Sequence, residues 1–286
     1  MTRVLASLIA LTLVTSVSAE TPRAVLDGYL AAARAGEWDE AATFWLPEDA
    51  ARSARLGVTY HDIPFKLDAS SYLMWPGVAA AGEPAVGDPV GDPETGPLRF
   101  TVGFPTQPPV RSDYVAVREG DRWFLASPST ALARDWPVTP TRYLRFRVQP
   151  GRPLVRGAAH RLDQFVAACG VRLVISPGRM ERLAREKIDY LLCDEEIVAA
   201  IAGAPTKGVA MLPVDAVVTS ERSHTHELAH LLVGYAAEDL GLHVLPALQE
   251  GIAVHLGGRW GRSAAVLEEM GRYVLAEGFA EVDSFL

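Results

Sequence analysis

The chain carries His226-Glu227-Leu228-Ala229-His230 and, twenty residues after the second histidine, a glutamate set in Leu245-Pro246-Ala247-Leu248-Gln249-Glu250-Gly251-Ile252-Ala253. Residues four apart on a helix lie one above the other, so His226 and His230 turn two imidazoles into the same cleft. Two imidazoles are half of a zinc site. Zinc takes His nitrogens and carboxylate oxygens tetrahedrally, and a catalytic site keeps three protein ligands with water in the fourth place. Glu227 stands about 100° round the helix from His226, within reach of that water and off the metal, which is the position of a general base. Leu228, Leu231, Leu232 and Tyr235 fall at i, i+3, i+4 and i+7 away from the histidines, giving the helix a core side and a metal side. Ser220 or Ser223 is expected to cap this helix, with Glu221 in its first turn.

The third ligand separates the zinc classes. A metzincin-type third histidine needs Gly three and His six residues after the second ligand, where this chain has Val233 and Ala236. Glu238, Asp239, His243 and Glu250 remain as carboxylate or imidazole candidates further on. Pro246 can open a helix at its first turn, which places Glu250 one turn in. Gly251 and Ala253 are small enough for that helix to press against the first.

From 220 to 257 this pattern resembles the gluzincin metallopeptidases, the thermolysin-like clan, and within them the peptidase MA-like group with its Glu-Gly-x-Ala signature. The looser resemblance covers 141–286. It implies zinc ligands His226, His230 and Glu250, with Glu227 as catalytic base and a peptide or protein as substrate. It also implies a mixed sheet feeding the active-site helix, with an edge strand, here Val209–Pro213, beside the metal for an extended peptide. Such domains usually continue into helices that supply a Tyr or His to the oxyanion. Only 36 residues follow Glu250 here, among which Arg259, Arg262 and Tyr273 are the polar side chains able to donate. The competing reading is a non-catalytic envelope protein in which zinc stabilises structure or a ligand site. It would need a fourth protein ligand from His224, His243 or His255.

Towards the amino terminus, Arg3, an apolar run from Val4 to Val17 and Val17-Ser18-Ala19 make residues 1–19 a secretory signal peptide, with the mature chain beginning near Glu20. No later stretch has the roughly 18 consecutive apolar residues of a membrane span. The expectation is an exported, periplasmic or extracellular protein with no stable membrane anchor after cleavage. The net charge of -8 offers no basic patch, which argues against nucleic acid. Cys169 and Cys193 are the only cysteines; they either pair, worth about 3.5 kcal/mol in the chain-entropy account, or stay as two buried thiols.

The fold class expected is α+β in two parts. In residues 20–130, two helices within Thr21–Glu40 broken at Gly36 precede a Pro- and Gly-rich loop over 76–109. A strand Leu98–Phe104 follows, then a hairpin of Asp113–Val117 and Trp123–Ala126 about Gly120. This order resembles the nuclear transport factor 2-like cone fold, in which Asp27, Tyr29 and His61 would line a pocket. A linker over 131–141, within the proline-bearing stretch Ser127–Thr141, leads to the metallopeptidase-like part, 142–286. There the strands Tyr143–Val148, Val171–Ile175 and Ile188–Cys193 alternate with helices Leu154–Ala168, Gly178–Lys187 and Glu195–Ala202. One or two strands over Gly208–Thr219 precede the motif helix.

Overall fold

The computed structural model describes residues 21–55, 82–94, 96–106, 109–237, 246–259 and 262–278. The fold is α+β. Thr21 caps α1 (Pro22–Ala35) by accepting a hydrogen bond from Ala24 N–H, and Gly36, at φ 76°, ends it in the left-handed conformation that glycine adopts without strain. Val25, Leu26, Tyr29 and Leu30 bury one stripe of α1. Two short helices follow, α2 (Trp38–Thr43) and α3 (Pro47–Arg55). The stripe of α1 packs on a four-stranded antiparallel sheet ordered β1 (Ala85–Val86), β2 (Leu98–Phe104), β3 (Val110–Glu119) and β4 (Arg122–Ala126). In β2 the alternation works as a half-buried strand should: Leu98, Phe100, Val102 and Phe104 face inward. Tyr29 meets Trp45 edge to face at 5.4 Å and Tyr114 at 5.8 Å. It is therefore core, while Asp27 pairs with Arg23 outside, so these two residues line no common pocket; His61 lies outside the described residues.

The second sheet has five strands in the order β5 (Val138–Pro140), β6 (Leu144–Val148), β7 (Ile188–Leu192), β9 (Ala216–Thr219) and β8 (Gly208–Met211). Its inner strands β6, β7 and β9 run parallel, and β5 and β8 are antiparallel edges. β7 and β9 are buried along their whole length because both faces of the sheet are covered, which explains their largely apolar sequence; the exception inside β7, Asp189, is paired with Arg52 and Arg145. Tyr190, Leu192 and Val217 face the helices α5 (Arg156–Arg172) and α8 (Thr225–Ala236), whereas Leu191, Cys193, Ala216 and Val218 join the core of the amino-terminal part.

Several expectations are corrected here. The strand over Val171–Ile175 is absent: α5 runs on to Arg172, and Val171 and Val174 are 80% and 87% exposed. Since β6 pairs directly with β7, the sheet has no slot for another strand, and α6 (Pro177–Glu186) completes the crossover. The stretch expected as a linker is structured. Ser127 caps α4 (Pro128–Ala133) by accepting from Thr130 N–H, and Pro140 sits in edge strand β5, where its missing N–H costs nothing. Across that junction Arg52 binds Asp189 at 2.5 Å and one buried cluster runs from Val25 to Val218. Within the loop expected over 76–109, Ala85 and Val86 pair with β2. The cysteines are both free and buried. They cannot reach each other because Cys169 belongs to the cluster on one face of the sheet and Cys193 to the cluster on the other. No helix among the described residues is long and apolar enough to cross a membrane. Residues 1–19 lie outside the described residues.

Candidate metal centre

The motif helix α8 begins at Thr225 with His224 as its capping residue, so neither Ser220 nor Ser223 caps it and Glu221 stays outside. The preceding backbone is committed elsewhere. Ser220 N–H donates to Lys207 O at 2.9 Å, Glu221 N–H to Thr219 Oγ1 at 3.0 Å, and His224 N–H to the Tyr190 hydroxyl at 2.8 Å. These bonds carry the end of β9 straight into the helix. Leu228, Leu231, Leu232 and Tyr235 are buried on its core side, as the spacing requires. Tyr235 also donates its hydroxyl to the buried Asp215 carboxylate at the start of β9, tying helix to sheet.

On the other side, the His226 and His230 rings lie edge to face with centroids 4.9 Å apart. The helix α9 (Pro246–Gly257) crosses them and delivers Glu250. Of the two small residues expected at this crossing, Ala253 is fully buried while Gly251 is open to space; the close approach falls instead at Gly257. A Cβ there would come within 2.7 Å of the backbone at Thr225 and His226.

The ligand atoms form a triangle. His226 Nε2 is 3.3 Å from His230 Nε2 and 3.3 Å from Glu250 Oε2, and His230 Nε2 is 3.4 Å from Glu250 Oε1. Ligands held about 2.0–2.1 Å from a tetrahedral ion stand about 3.3–3.4 Å apart, so each separation is one that two ligands of such an ion adopt, with the two histidines facing different oxygens of Glu250. His226 Nδ1 lies 3.1 Å from Gly258 O. A carbonyl only accepts, so the ring proton sits on Nδ1 and the Nε2 lone pair faces the triangle. Among the described residues this is the one group of three His, Cys, Asp or Glu side chains with ligand atoms within 4.8 Å of one another, and it can hold a metal ion.

Glu227 is outside the triangle and mostly buried, with 14% of its side chain exposed. Burial pushes its carboxyl above the ordinary range, and nearby Glu250 adds to this, while His226 and the backbone at Ala210 act in the opposite direction. Burial likewise holds the imidazoles of His230 and His224 below their usual value, against the pull of Glu250 on His230 and of Glu221 on His224. His224 lies between strand and base: its Nδ1 is 2.8 Å from Thr219 Oγ1 and its Nε2 3.8 Å from Glu227 Oε1.

His160 and His255, the other described histidines, are both exposed and do not belong to the group. His255 bridges Arg172 and Glu268 at 3.0 and 2.6 Å. Tyr273 projects from α10 (Ala264–Ala276) at 60% exposure, and Arg262 exchanges backbone hydrogen bonds with Arg259. Glu238, Asp239 and His243 lie outside the described residues. Sequence reasoning named Arg259 as a possible oxyanion donor but missed the turn Gly257-Gly258-Arg259 that leaves α9: Gly257 O accepts from Thr225 Oγ1 at 2.7 Å, Gly258 O accepts from His226, and Arg259 donates to Glu250. Its only sequence signal was a glycine pair at the end of a helix.

Comparison with protein-family models, with curated proteins and with solved structures finds no match.

Proposed function

We propose that the chain is an exported zinc-dependent metallopeptidase that hydrolyses peptide bonds with Glu227 as general base. The observation that carries this is the three-ligand triangle of His226, His230 and Glu250 with a buried, non-ligating glutamate one residue along the same helix. Two imidazoles and one carboxylate are the donor set of catalytic zinc. Bound there, zinc supplies Lewis acidity, bringing the pKa of water toward about 7 and polarising the scissile carbonyl.

The rest belongs to the chain's own side chains. Glu227 takes the proton of the attacking water and returns it to the leaving amine, a role suited to a carboxylate whose basicity burial has raised. Edge strand β8 lies against α8, with Gly208 packed close to Glu227. Its free edge offers backbone donors and acceptors to an extended peptide. A closed structural site needs four protein ligands; His243 lies outside the described residues, and among the described ones neither His224 nor His255 joins the group, which favours the catalytic reading over a structural metal. The test is zinc content of the mature chain together with cleavage of a mixed peptide library, compared with Glu227→Gln. A metal-loaded chain with no activity above that variant would sink the proposal.

A further inference from the structure

Glu250 has 47% of its side chain exposed, and a half-hydrated carboxylate on a helix surface has several rotamers to sample. Yet its oxygens lie at ligand separation from both histidines. The restraint comes from the turn that follows the same helix. Gly258 N–H donates to Val254 O at 2.8 Å and Gly258 takes φ 74°, a left-handed turn that suits glycine. Arg259 N–H donates to Arg262 O at 3.2 Å and Arg262 N–H returns a bond to Arg259 O at 2.9 Å. Gly257 and Gly258 are anchored by their carbonyls to Thr225 and His226. The root of the Arg259 side chain is thereby fixed without help from its own charge, and its guanidinium reaches Glu250 Oε2. Three consecutive residues thus brace the start of α8, one imidazole ligand and the carboxylate ligand.

We propose that Gly257-Gly258-Arg259 is the positioning element of the metal centre, with Arg259 holding the Glu250 carboxylate in ligand geometry through its hydrogen bond. This rests on the reading of His226, His230 and Glu250 as a zinc site. Hydrogen-bonded partners behind a metal ligand are worth about 10- to 100-fold in metal affinity. Arg259 is a positioning residue, acting through Glu250. A rival account has the opposite sign: if the guanidinium merely stands in for a cation at Glu250, it competes with zinc, and removing it makes zinc bind more tightly.

The test uses the full chain and the metal alone. Zinc affinity is measured by competition with a chromophoric chelator for the parent, Arg259→Gln and Arg259→Lys, with Glu250→Ala as the reference for a lost ligand. The visible absorption of the cobalt-loaded proteins reports the ligand geometry. The expected result is a 10- to 100-fold weaker zinc affinity for Arg259→Gln with a changed cobalt spectrum, and partial recovery of both in Arg259→Lys, which keeps the charge and one donor. Zinc affinity that is unchanged or higher in Arg259→Gln overturns the brace while leaving the zinc reading intact. Failure of the parent chain to bind zinc at all overturns both. Should Arg259→Gln fail to fold, Arg259→Lys carries the test, with an intermediate loss expected and parental affinity overturning the proposal.

Discussion

Gly208 lies against Glu227, where an added Cβ would fall 3.1 Å from its Cγ, so the candidate base is backed by the edge strand that an extended peptide would join. Glu227→Gln preserves shape but cannot take a proton. Zinc binding should be retained and peptide cleavage should fall by about 10²–10⁴. Equal rates for parent and variant at saturating zinc would exclude Glu227 as the base.

Glu250 and His255 lie on one helix and differ in partner. Glu250 belongs to the triangle, while His255 is tied to Glu268 and Arg172 on the outside. Glu250→Ala removes an anionic donor from a dication and should weaken zinc by about 100-fold or more, whereas His255→Ala should leave it unchanged. Isothermal titration of both variants separates these cases; a zinc loss in His255→Ala alone would reassign the third ligand.

His224 packs directly against Gly208, where an added Cβ would fall 2.2 Å from the ring. Gly208→Ala should displace the His224 ring from Thr219 and disturb Glu227 next to it. The expected outcome is retained zinc with a rate about 10-fold lower or more, read by metal analysis beside initial rates. Parental rates would show that His224 has no part in setting Glu227.

Asp49 is fully buried and accepts hydrogen bonds from Ser127 N–H at 2.8 Å and the Thr130 hydroxyl at 2.7 Å, yet burial lifts its pKa to about 6. The folded chain therefore holds this proton more tightly than the unfolded chain, where the pKa is about 3.9. The resulting stabilisation is full below about pH 4 and is lost as pH rises through 6, a change of about 3 kcal/mol for two pKa units. Asp49→Asn can accept from Ser127 N–H with its carbonyl and donate its amide to the Thr130 hydroxyl oxygen, and it carries no charge. Urea unfolding at pH 4.5 and 7.5 should show the parent losing stability relative to the variant by about 2–3 kcal/mol. Glu227 and Asp189, which burial also pushes up, titrate in both proteins and cancel. A constant difference between the two proteins would refute this account.

Cys169 and Cys193 sit on opposite faces of a filled sheet, and burial lifts both thiols to about 11. Both should resist thiol reagents in the native chain and react together on unfolding, without added reductant. An intramolecular disulfide found by mass spectrometry in native protein would contradict the placement.

The group of His226, His230 and Glu250 was legible because its signals are local: one helical period sets His226 against His230, and a proline at a helix start presents Glu250. What stayed hidden depends on partners far along the chain. The run Val171–Ile175 has the composition of a strand, but the pairing of β6 with β7 leaves it none to join. The prolines of Ser127–Thr141 read as a flexible connection because sequence does not disclose that Pro140 lies in an edge strand. The capping of α8 was misplaced because Tyr190, more than thirty residues upstream, takes up the His224 N–H. Gly257 went unnoticed for the same reason, since a close approach of two backbones leaves no trace in either segment alone.

The filled junction between the two sheets has a consequence for how the chain comes into being. Leu191, Cys193, Ala216 and Val218 complete a core begun by Val25, Leu26 and Tyr29, so the wall behind the metal helix is made of residues that leave the ribosome first. His226, His230 and Glu250 emerge onto a surface already built, and the histidines enter their final geometry only when that wall is in place. A chain begun at Thr141 would present the same apolar wall to water and aggregate before any metal could reach it.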